Sequence, residues 1–195
     1  MSEVTVEELI DVVDREGLLV NNDVRLPSVV SIVAGGPVRG SWWGHPQGHE
    51  IYAMLQRVGE HPDVLSTKLV SGKVTFVHRR LWPDVYAVGR ERAPWQLDRL
   101  DLDAKRLLER VDTEGVVLSS GPPAALLEHL LLVVAEQVTG DDGIQRVRLE
   151  TWGHWRERVG VELEEVDPVE AREVLDELID SLNRDYGGRA KLPWK

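Results

Sequence analysis

The densest group of side chains able to bind a ligand lies between residues 39 and 50. It combines a guanidinium, two adjacent indoles and two imidazoles, at Arg39, Trp42, Trp43, His45 and His49. Two adjacent tryptophans are not expected to face the same way, so at least one should be partly exposed or line a cavity. An indole beside a glycine suits stacking on a base or another ring. The segment therefore predicts a ligand-binding region, with anchoring of the loop onto the core as the alternative.

The two histidines of this segment also raise the question of a metal. His45 and His49 are four residues apart, a spacing that brings two imidazoles to one side of a helix in zinc sites. However, Pro46 lies between them, and Glu50 follows the second histidine, whereas the zinc-protease pattern places its glutamate after the first. We therefore predict no metal and no cofactor. A buried Glu50 beside His49 would instead be a candidate acid–base pair of an enzyme, and a solvated helix glutamate is the alternative.

A second group of cations follows a predicted β-hairpin. Residues 64–70 and 73–78 are rich in β-branched side chains and are separated by Ser71-Gly72, which is typical of a tight turn. Alternation places Lys73 and Arg79 on one face of the second strand and His78 on the other, with Arg80 next in the chain. This pattern predicts a positive ridge that contacts a phosphate backbone. A solvated face with edge-protecting lysines is the alternative.

The overall charge of −11 is unevenly distributed along the 195 residues. Residues 1–23 have a net charge of −6, residues 24–80 of +4, residues 81–110 of zero and residues 111–195 of −9. An acidic body opposes phosphate binding unless its positive charges cluster in space. The chain contains no cysteine, which excludes disulfides and thiolate chemistry. It also contains no glycine-rich phosphate loop and no nucleophile elbow.

Apolar periodicity predicts a mostly helical α+β chain with one β-hairpin. Helices are expected at 7–15, 27–34, 46–59, 83–90, 101–109 and 122–138 and from Asp167 onward, with a short strand at 116–118. The segment 144–159 is ambiguous between strand and helix. No internal repeat is apparent, so we predict a single compact domain over 1–195, with a possible subdivision near 119–123.

The composition predicts a cytoplasmic protein without a membrane segment. The N-terminal segment is acidic and amphipathic, which is not typical of a secretory signal peptide. The longest apolar stretch, 124–135, is interrupted by Glu128 and His129 and is too short to cross a bilayer.

Two strings carry a resemblance to known proteins: Ser-Trp-Trp-Gly-His-Pro at 41–46 and Val-His-Arg-Arg-Leu-Trp-Pro at 77–83. They resemble a family of uncharacterised bacterial proteins over roughly residues 24–160, and this resemblance implies no catalytic residue. The order of elements is also similar to that of small winged-helix proteins related to alkylpurine and crosslink DNA glycosylases. Gln96-Leu97-Asp98 fits the spelling of the catalytic motif in those enzymes, which would imply roles for Gln96 and Asp98.

These observations lead to three alternative hypotheses about function. The leading hypothesis is a winged-helix-like module that binds nucleic acid or another phosphate-bearing ligand through the Trp/His/Arg-rich face. The second is a small hydrolase or DNA-repair glycosylase that uses His49 and Glu50, or Gln96 and Asp98. The third is an interaction module, either with an acidic docking surface or as a homodimer through the apolar helix 122–138.

Overall fold

The computed structural model describes residues 4–139 and 143–195. Helices account for 49% of the chain and strands for 17%, so the α+β class with predominant helix is confirmed. The elements within the described residues are, in chain order, α1 Val6–Glu16, β1 Leu18–Val20, α2 Val29–Val33, α3 Gly48–Gly59, β2 Val64–Val70, β3 Lys73–His78, a 3-10 turn Arg79–Leu81, α4 Trp82–Arg90, α5 Pro94–Leu97, α6 Leu102–Glu114, β4 Val116–Ser119, α7 Pro122–His129, β5 Val134–Thr139, β6 Gln145–Glu150, α8 Trp152–Val159 and α9 Pro168–Tyr186.

The described residues divide into two compact units. Unit 1 comprises the chain up to Trp82 together with Glu173–Leu192, and unit 2 comprises Pro83–Arg172 together with Pro193–Lys195. Each unit contains one three-stranded antiparallel sheet. This division falls elsewhere than the possible subdivision near 119–123, and the interpretation of the chain as a single domain stays a prediction.

The first helix shows why the sequence folds as it does locally. Thr5 and Glu8 form a reciprocal capping box, in which each side chain accepts a hydrogen bond from the backbone of the other. Leu9 and Val13 occupy the buried stripe. Gly17 ends α1 with φ of +85°, a left-handed conformation that glycine adopts without a steric penalty.

The sheet of unit 1 contains the predicted hairpin. Its strand order is β1-β3-β2, with Leu19 paired to Phe76 and Leu65 paired to Val77. Ser71 and Gly72 both have positive φ, of 51° and 69°. Two consecutive positive φ angles match the right-handed twist of the flanking strands in a two-residue hairpin turn.

Unit 2 departs from the prediction at residues 122–138. The helix α7 ends at His129, Leu131 adopts a φ of 56°, and the chain continues as β5 from Val134. Residues 130–134 are almost completely buried, and a continuous apolar run of this kind suits a buried strand as well as a buried helix.

The strands β5 and β6 form a second hairpin within a sheet of order β4-β6-β5. The prediction of one hairpin is therefore not confirmed. Asp141-Asp142-Gly143 predicts a turn, but residues 140–142 lie outside the described part of the chain.

The two units contain a repeat that the sequence analysis missed. Residues 9–20 and 107–118 can be aligned without a gap, and five of the twelve positions are identical. In both copies a helix ends at a glycine with positive φ and leads directly into the first strand, which pairs with the last strand of its sheet. Gly17 O accepts a hydrogen bond from His78 N at 3.0 Å, and Gly115 O accepts one from Thr151 N at 3.2 Å. The shared sequence, sheet order and hydrogen bond identify one motif present twice.

The two copies differ between their first and second strands. In unit 1 this interval, 21–63, contains α2, a loop and α3, whereas in unit 2 the interval 120–133 contains only α7. The Trp/His-rich segment lies within the additional residues of unit 1.

Candidate ligand-binding surface

The two adjacent tryptophans stack on each other. The ring centroids of Trp42 and Trp43 are 4.3 Å apart with an interplanar angle of 21°, so the two rings stack although one faces the core and the other faces solvent. Trp42 is 9% exposed and belongs to the core of unit 1, whereas Trp43 is 67% exposed. Tyr52, which is 43% exposed, lies 5.7 Å from Trp43 between centroids. The predicted partial exposure of one indole is confirmed, and it belongs to Trp43.

The helix α3 continues this surface. Its buried stripe consists of Ile51, Met54, Leu55 and Val58, as the apolar spacing predicts. The opposite side presents exposed polar and aromatic side chains at helical spacing, namely His49, Tyr52, Gln56 and Arg57. We call these four residues together with Trp43 the α3 face. Of the predicted binding residues, Trp43 and His49 belong to it.

The loop that precedes α3 is held by its own side chains. His45 Nδ1 accepts a hydrogen bond from the backbone N–H of Gln47 at 3.2 Å. The Gln47 amide donates to Val33 O at 3.1 Å and to Glu50 Oε2 at 3.2 Å. His45 and Glu50 therefore organise the loop, and they do not form a pair with His49. Among the described residues no cluster of three or more histidine, aspartate or glutamate side chains is arranged to hold a metal ion.

Two exposed cations lie in this part of the chain: Arg57 belongs to the α3 face, and Arg39 precedes Trp43 by four residues. Arg39, in the loop, and Arg57, on α3, are both exposed. Within the part of the chain that the structure describes, neither guanidinium forms an ion pair, in contrast to Lys73 and Arg79. These two arginines are thus available for an anionic ligand.

The cations of the predicted ridge are paired with acids. Lys73 Nζ lies 2.6 Å from Asp23 Oδ2, and Arg79 lies 2.8 Å from Asp63 Oδ1. Arg79 is in the 3-10 turn that follows β3, so strand alternation does not place it beside Lys73. The ridge that the sequence predicts is therefore locally neutralised by carboxylates.

The residues that follow β3 hold the end of α1. Arg80 donates to the backbone carbonyls of Asp14 and Arg15 and lies 3.3 Å from the Asp14 carboxylate. His78 Nε2 lies 3.5 Å from the same carboxylate. Burial lowers the pKa of His78, and the nearby Asp14 offsets only part of this effect. Arg80 thus caps the C-terminal end of a helix, where cations are favoured.

The two residues of the glycosylase-like tripeptide have different environments. Gln96 is fully buried, and its Oε1 accepts from Ala93 N at 2.9 Å while its Nε2 donates to Leu130 O at 3.0 Å. Asp98 is exposed at the end of α5. All hydrogen-bonding atoms of the Gln96 side chain are engaged by the backbone, so this residue positions α5 and is not presented to a substrate.

Unit 2 contains two features that the sequence analysis did not identify. One is a cleft of about 190 Å³ whose lining includes Arg92, Asp112 and Trp152, with Arg92 and Asp112 joined by two hydrogen bonds. The other is Glu150, which is 1% exposed and accepts from Arg158 Nε through both carboxylate oxygens at 3.1 Å. Neither partner is adjacent in sequence, so no local pattern could have predicted these pairs.

Comparison with known proteins gives no assignment. No protein-family model matches the chain, and no curated protein or solved structure matches it significantly. No helix among the described residues has the length and apolar composition needed to cross a bilayer.

Proposed function

We propose that the chain binds nucleic acid through unit 1 and that the α3 face, together with Arg39 of the loop that precedes α3, makes the contact. The observation that carries the proposal is the solvent-facing side of α3. It combines imidazole, phenol, amide and guanidinium groups with a neighbouring exposed indole. Side chains of these types hydrogen-bond base edges, stack on bases and contact phosphates.

The order of elements supports a winged-helix-like architecture for unit 1. The sequence α1-β1-α2-α3-β2-β3, with sheet order β1-β3-β2, places α3 directly before the hairpin. In helix-turn-helix modules the second helix of the pair presents its exposed residues to the nucleic acid. In unit 1 this position is occupied by α3, which is why we assign the contact to that helix.

The ion pairs of the hairpin change which cations are expected to contact phosphate. Lys73 and Arg79 each have a carboxylate partner, so phosphate contacts fall to Arg39 and Arg57. Two phosphate contacts predict that the logarithm of the binding constant falls linearly with the logarithm of the salt concentration. The slope should be about −1.4 for a single strand and about −1.8 for a duplex. The net charge of −11 predicts weak binding at physiological salt, because the body of the protein repels the ligand.

A salt titration with matched variants tests this assignment. Arg57→Ala should weaken oligonucleotide binding and reduce the magnitude of the salt slope by about 0.7 to 0.9. Arg106→Ala is the control, because Arg106 is also an exposed helix arginine, at 69% side-chain exposure, but lies on α6 in unit 2. Equal losses in both variants, or binding that is unchanged between low and high salt, would contradict the proposal.

The other two hypotheses have no comparable support. The apolar residues of segment 122–134 that would have formed a dimer face lie largely inside unit 2. The enzyme hypothesis required His49 with Glu50, or Gln96 with Asp98, to converge. Gln96 is buried with its amide engaged, and Glu50 is bonded to Gln47.

A further inference from the structure

We propose that Trp43 stacks on an unpaired base, either in a single strand or at the end of a duplex, and not on the interior of a duplex. This inference rests on the proposed nucleic-acid-binding function and specifies its ligand. The first observation that supports it is the open face of the Trp43 indole. Because Trp42 covers one face of the Trp43 ring at 4.3 Å, an exposure of 67% requires the opposite face and the edges to be largely open.

A flat open face can stack only on a ring that is itself accessible. Bases inside a duplex are covered on both sides by their neighbours, so they would have to be unstacked before they could contact Trp43. Terminal and unpaired bases need no such step. Stacking of a base on an aromatic side chain is also tolerant of sequence, because every base has a π-face.

One face of the Trp43 indole rests on a ring that is itself fixed. Trp42 is packed in the core cluster that also contains Ile51 and Leu55 of α3, so the ring beneath Trp43 is fixed. Beside it, a methyl group added at Gly44 would meet no described atom within 4 Å apart from those of its neighbours in the chain, which leaves room for a ligand to approach. Preorganisation of this kind reduces the entropic cost of binding.

The charge of the protein favours the same ligand. A duplex carries one negative charge per about 1.7 Å of its axis, and a single strand carries about half that density. Arg57 on the α3 face and Arg39 in the preceding loop are the two cations assigned to phosphate contacts, and the chain as a whole has a charge of −11. Repulsion by the acidic body is therefore smaller for a single strand. His49 and Gln56, on the same side of α3, can hydrogen-bond the edge of a base that stacks on Trp43.

Fluorescence anisotropy with four labelled oligonucleotides tests the proposal on the full chain. The probes are a single strand, a duplex with a three-nucleotide overhang, a covalently closed dumbbell whose two loops are polyethylene-glycol linkers and therefore contain no unpaired bases, and a single strand whose bases are replaced by abasic sites. We expect the first two to bind and the dumbbell and abasic strand to bind at least tenfold more weakly. Trp43→Ala should weaken binding of the single strand by about 5- to 150-fold, and Trp43→Phe should restore part of that loss. Leu102→Ala is the matched control, since Leu102 is 62% exposed on α6 in unit 2.

The possible outcomes separate this inference from the function on which it rests. If the dumbbell binds as tightly as the single strand and Trp43→Ala has no effect while Arg57→Ala does, nucleic-acid binding stands and the unpaired-base inference is overturned. If the abasic strand binds as well as the normal strand, stacking is likewise overturned. If none of the probes binds, both proposals fail. Circular dichroism of Trp43→Ala and Trp43→Phe establishes that a loss of binding is not a loss of folding.

Discussion

Trp42 and Trp43 are stacked neighbours with opposite environments: the rings are 4.3 Å apart, yet one is 9% exposed and the other 67%. Burial of a large aromatic ring is a main source of stability, whereas an exposed ring contributes little. The same substitution should therefore have very different effects at the two positions. This difference distinguishes the residue that anchors the loop from the residue that is presented to solvent.

We predict that Trp42→Ala lowers the free energy of unfolding by about 3 kcal/mol. Trp43→Ala should change it by about 0.5 kcal/mol or less, as is usual for surface substitutions. Urea denaturation followed by circular dichroism measures both values. Acrylamide quenching provides a second measurement, because Trp43→Ala should remove the most accessible fluorescence. A comparable destabilisation by both variants would show that Trp43 also anchors the loop.

A second prediction follows from the repeat. Register places Glu150 in unit 2 where unit 1 has Val77, because each is paired with the residue directly after the helix-ending glycine. Arg158→Ala should cost about 2 kcal/mol, since it leaves a carboxylate that is 1% exposed without its bidentate partner. The magnitude is below that of a fully buried pair because the Arg158 side chain is 38% exposed.

The double variant Glu150→Val/Arg158→Ala should recover at least half of that loss, because valine is the residue that the other copy tolerates at this position. Equilibrium unfolding of the wild type, the two single variants and the double variant gives the coupling energy. Additive effects of the two substitutions would contradict the role assigned to this ion pair.

A third prediction concerns close packing at a glycine. A methyl group at Gly89 would lie 2.3 Å from two atoms of the Trp152 indole, and Trp152 is held by its own hydrogen bond to Leu131 O at 2.7 Å. Gly89→Ala should therefore destabilise the protein by about 2–3 kcal/mol. Gly153→Ala is the control, because outside its chain neighbours and the backbone of its own helix the nearest atom to the added methyl group is Thr151 Oγ1 at 4.0 Å. In thermal unfolding, Gly89→Ala should lower the midpoint temperature, whereas Gly153→Ala should raise it or leave it unchanged.

A fourth prediction concerns pH. Burial raises the pKa of Asp23, but hydrogen bonds from Lys73 and from the backbone N–H groups of Arg25 and Leu26 outweigh it, so the pKa lies below its ordinary value of 3.8. A lowered pKa in the folded state gives stability that is complete above the pKa of the unfolded chain. That stability is lost as the pH falls through the folded value.

Asp23→Asn should therefore be less stable than the wild type by about 1 kcal/mol at pH 7, since it loses the charge-assisted bonds. The difference should shrink as the pH falls below about 4. Urea titrations at a series of pH values measure it, with Asp180→Asn, an exposed position on α9, as the control. A stability difference that is the same at pH 7 and at pH 3 would contradict the assigned cause.

Local patterns predicted much of unit 1 and little of the pairing between distant residues. The apolar stripe of α3 and the Ser71-Gly72 turn depend on neighbours in the chain, and the structure confirms both. The run 122–138 was misassigned because continuous apolar residues do not distinguish a buried helix from a buried strand. The repeat was missed because only its first helix and strand keep a similar sequence.

In the candidate site, too, local sequence patterns predicted some features but not the contacts between distant residues. Glycines and adjacent indoles predicted an exposed ring, which the structure assigns to Trp43. The positive ridge was predicted from the hairpin alone, but Asp23 and Asp63 come from other segments and neutralise it. Arg57 was overlooked because an isolated helix arginine has no distinctive sequence pattern, and only its place on the exposed side of α3 gives it a role.

The most direct measurement of the central claim is NMR of the seven tryptophan indole N–H groups during titration with a single-stranded oligonucleotide. The Trp43 resonance is assigned by its absence in Trp43→Phe. If the α3 face binds nucleic acid, the Trp43 indole should show the largest shift, while the buried Trp152 and Trp155 of unit 2 should change little. A titration that leaves the Trp43 resonance unmoved, or that shifts only tryptophans of unit 2, would contradict the proposed binding surface.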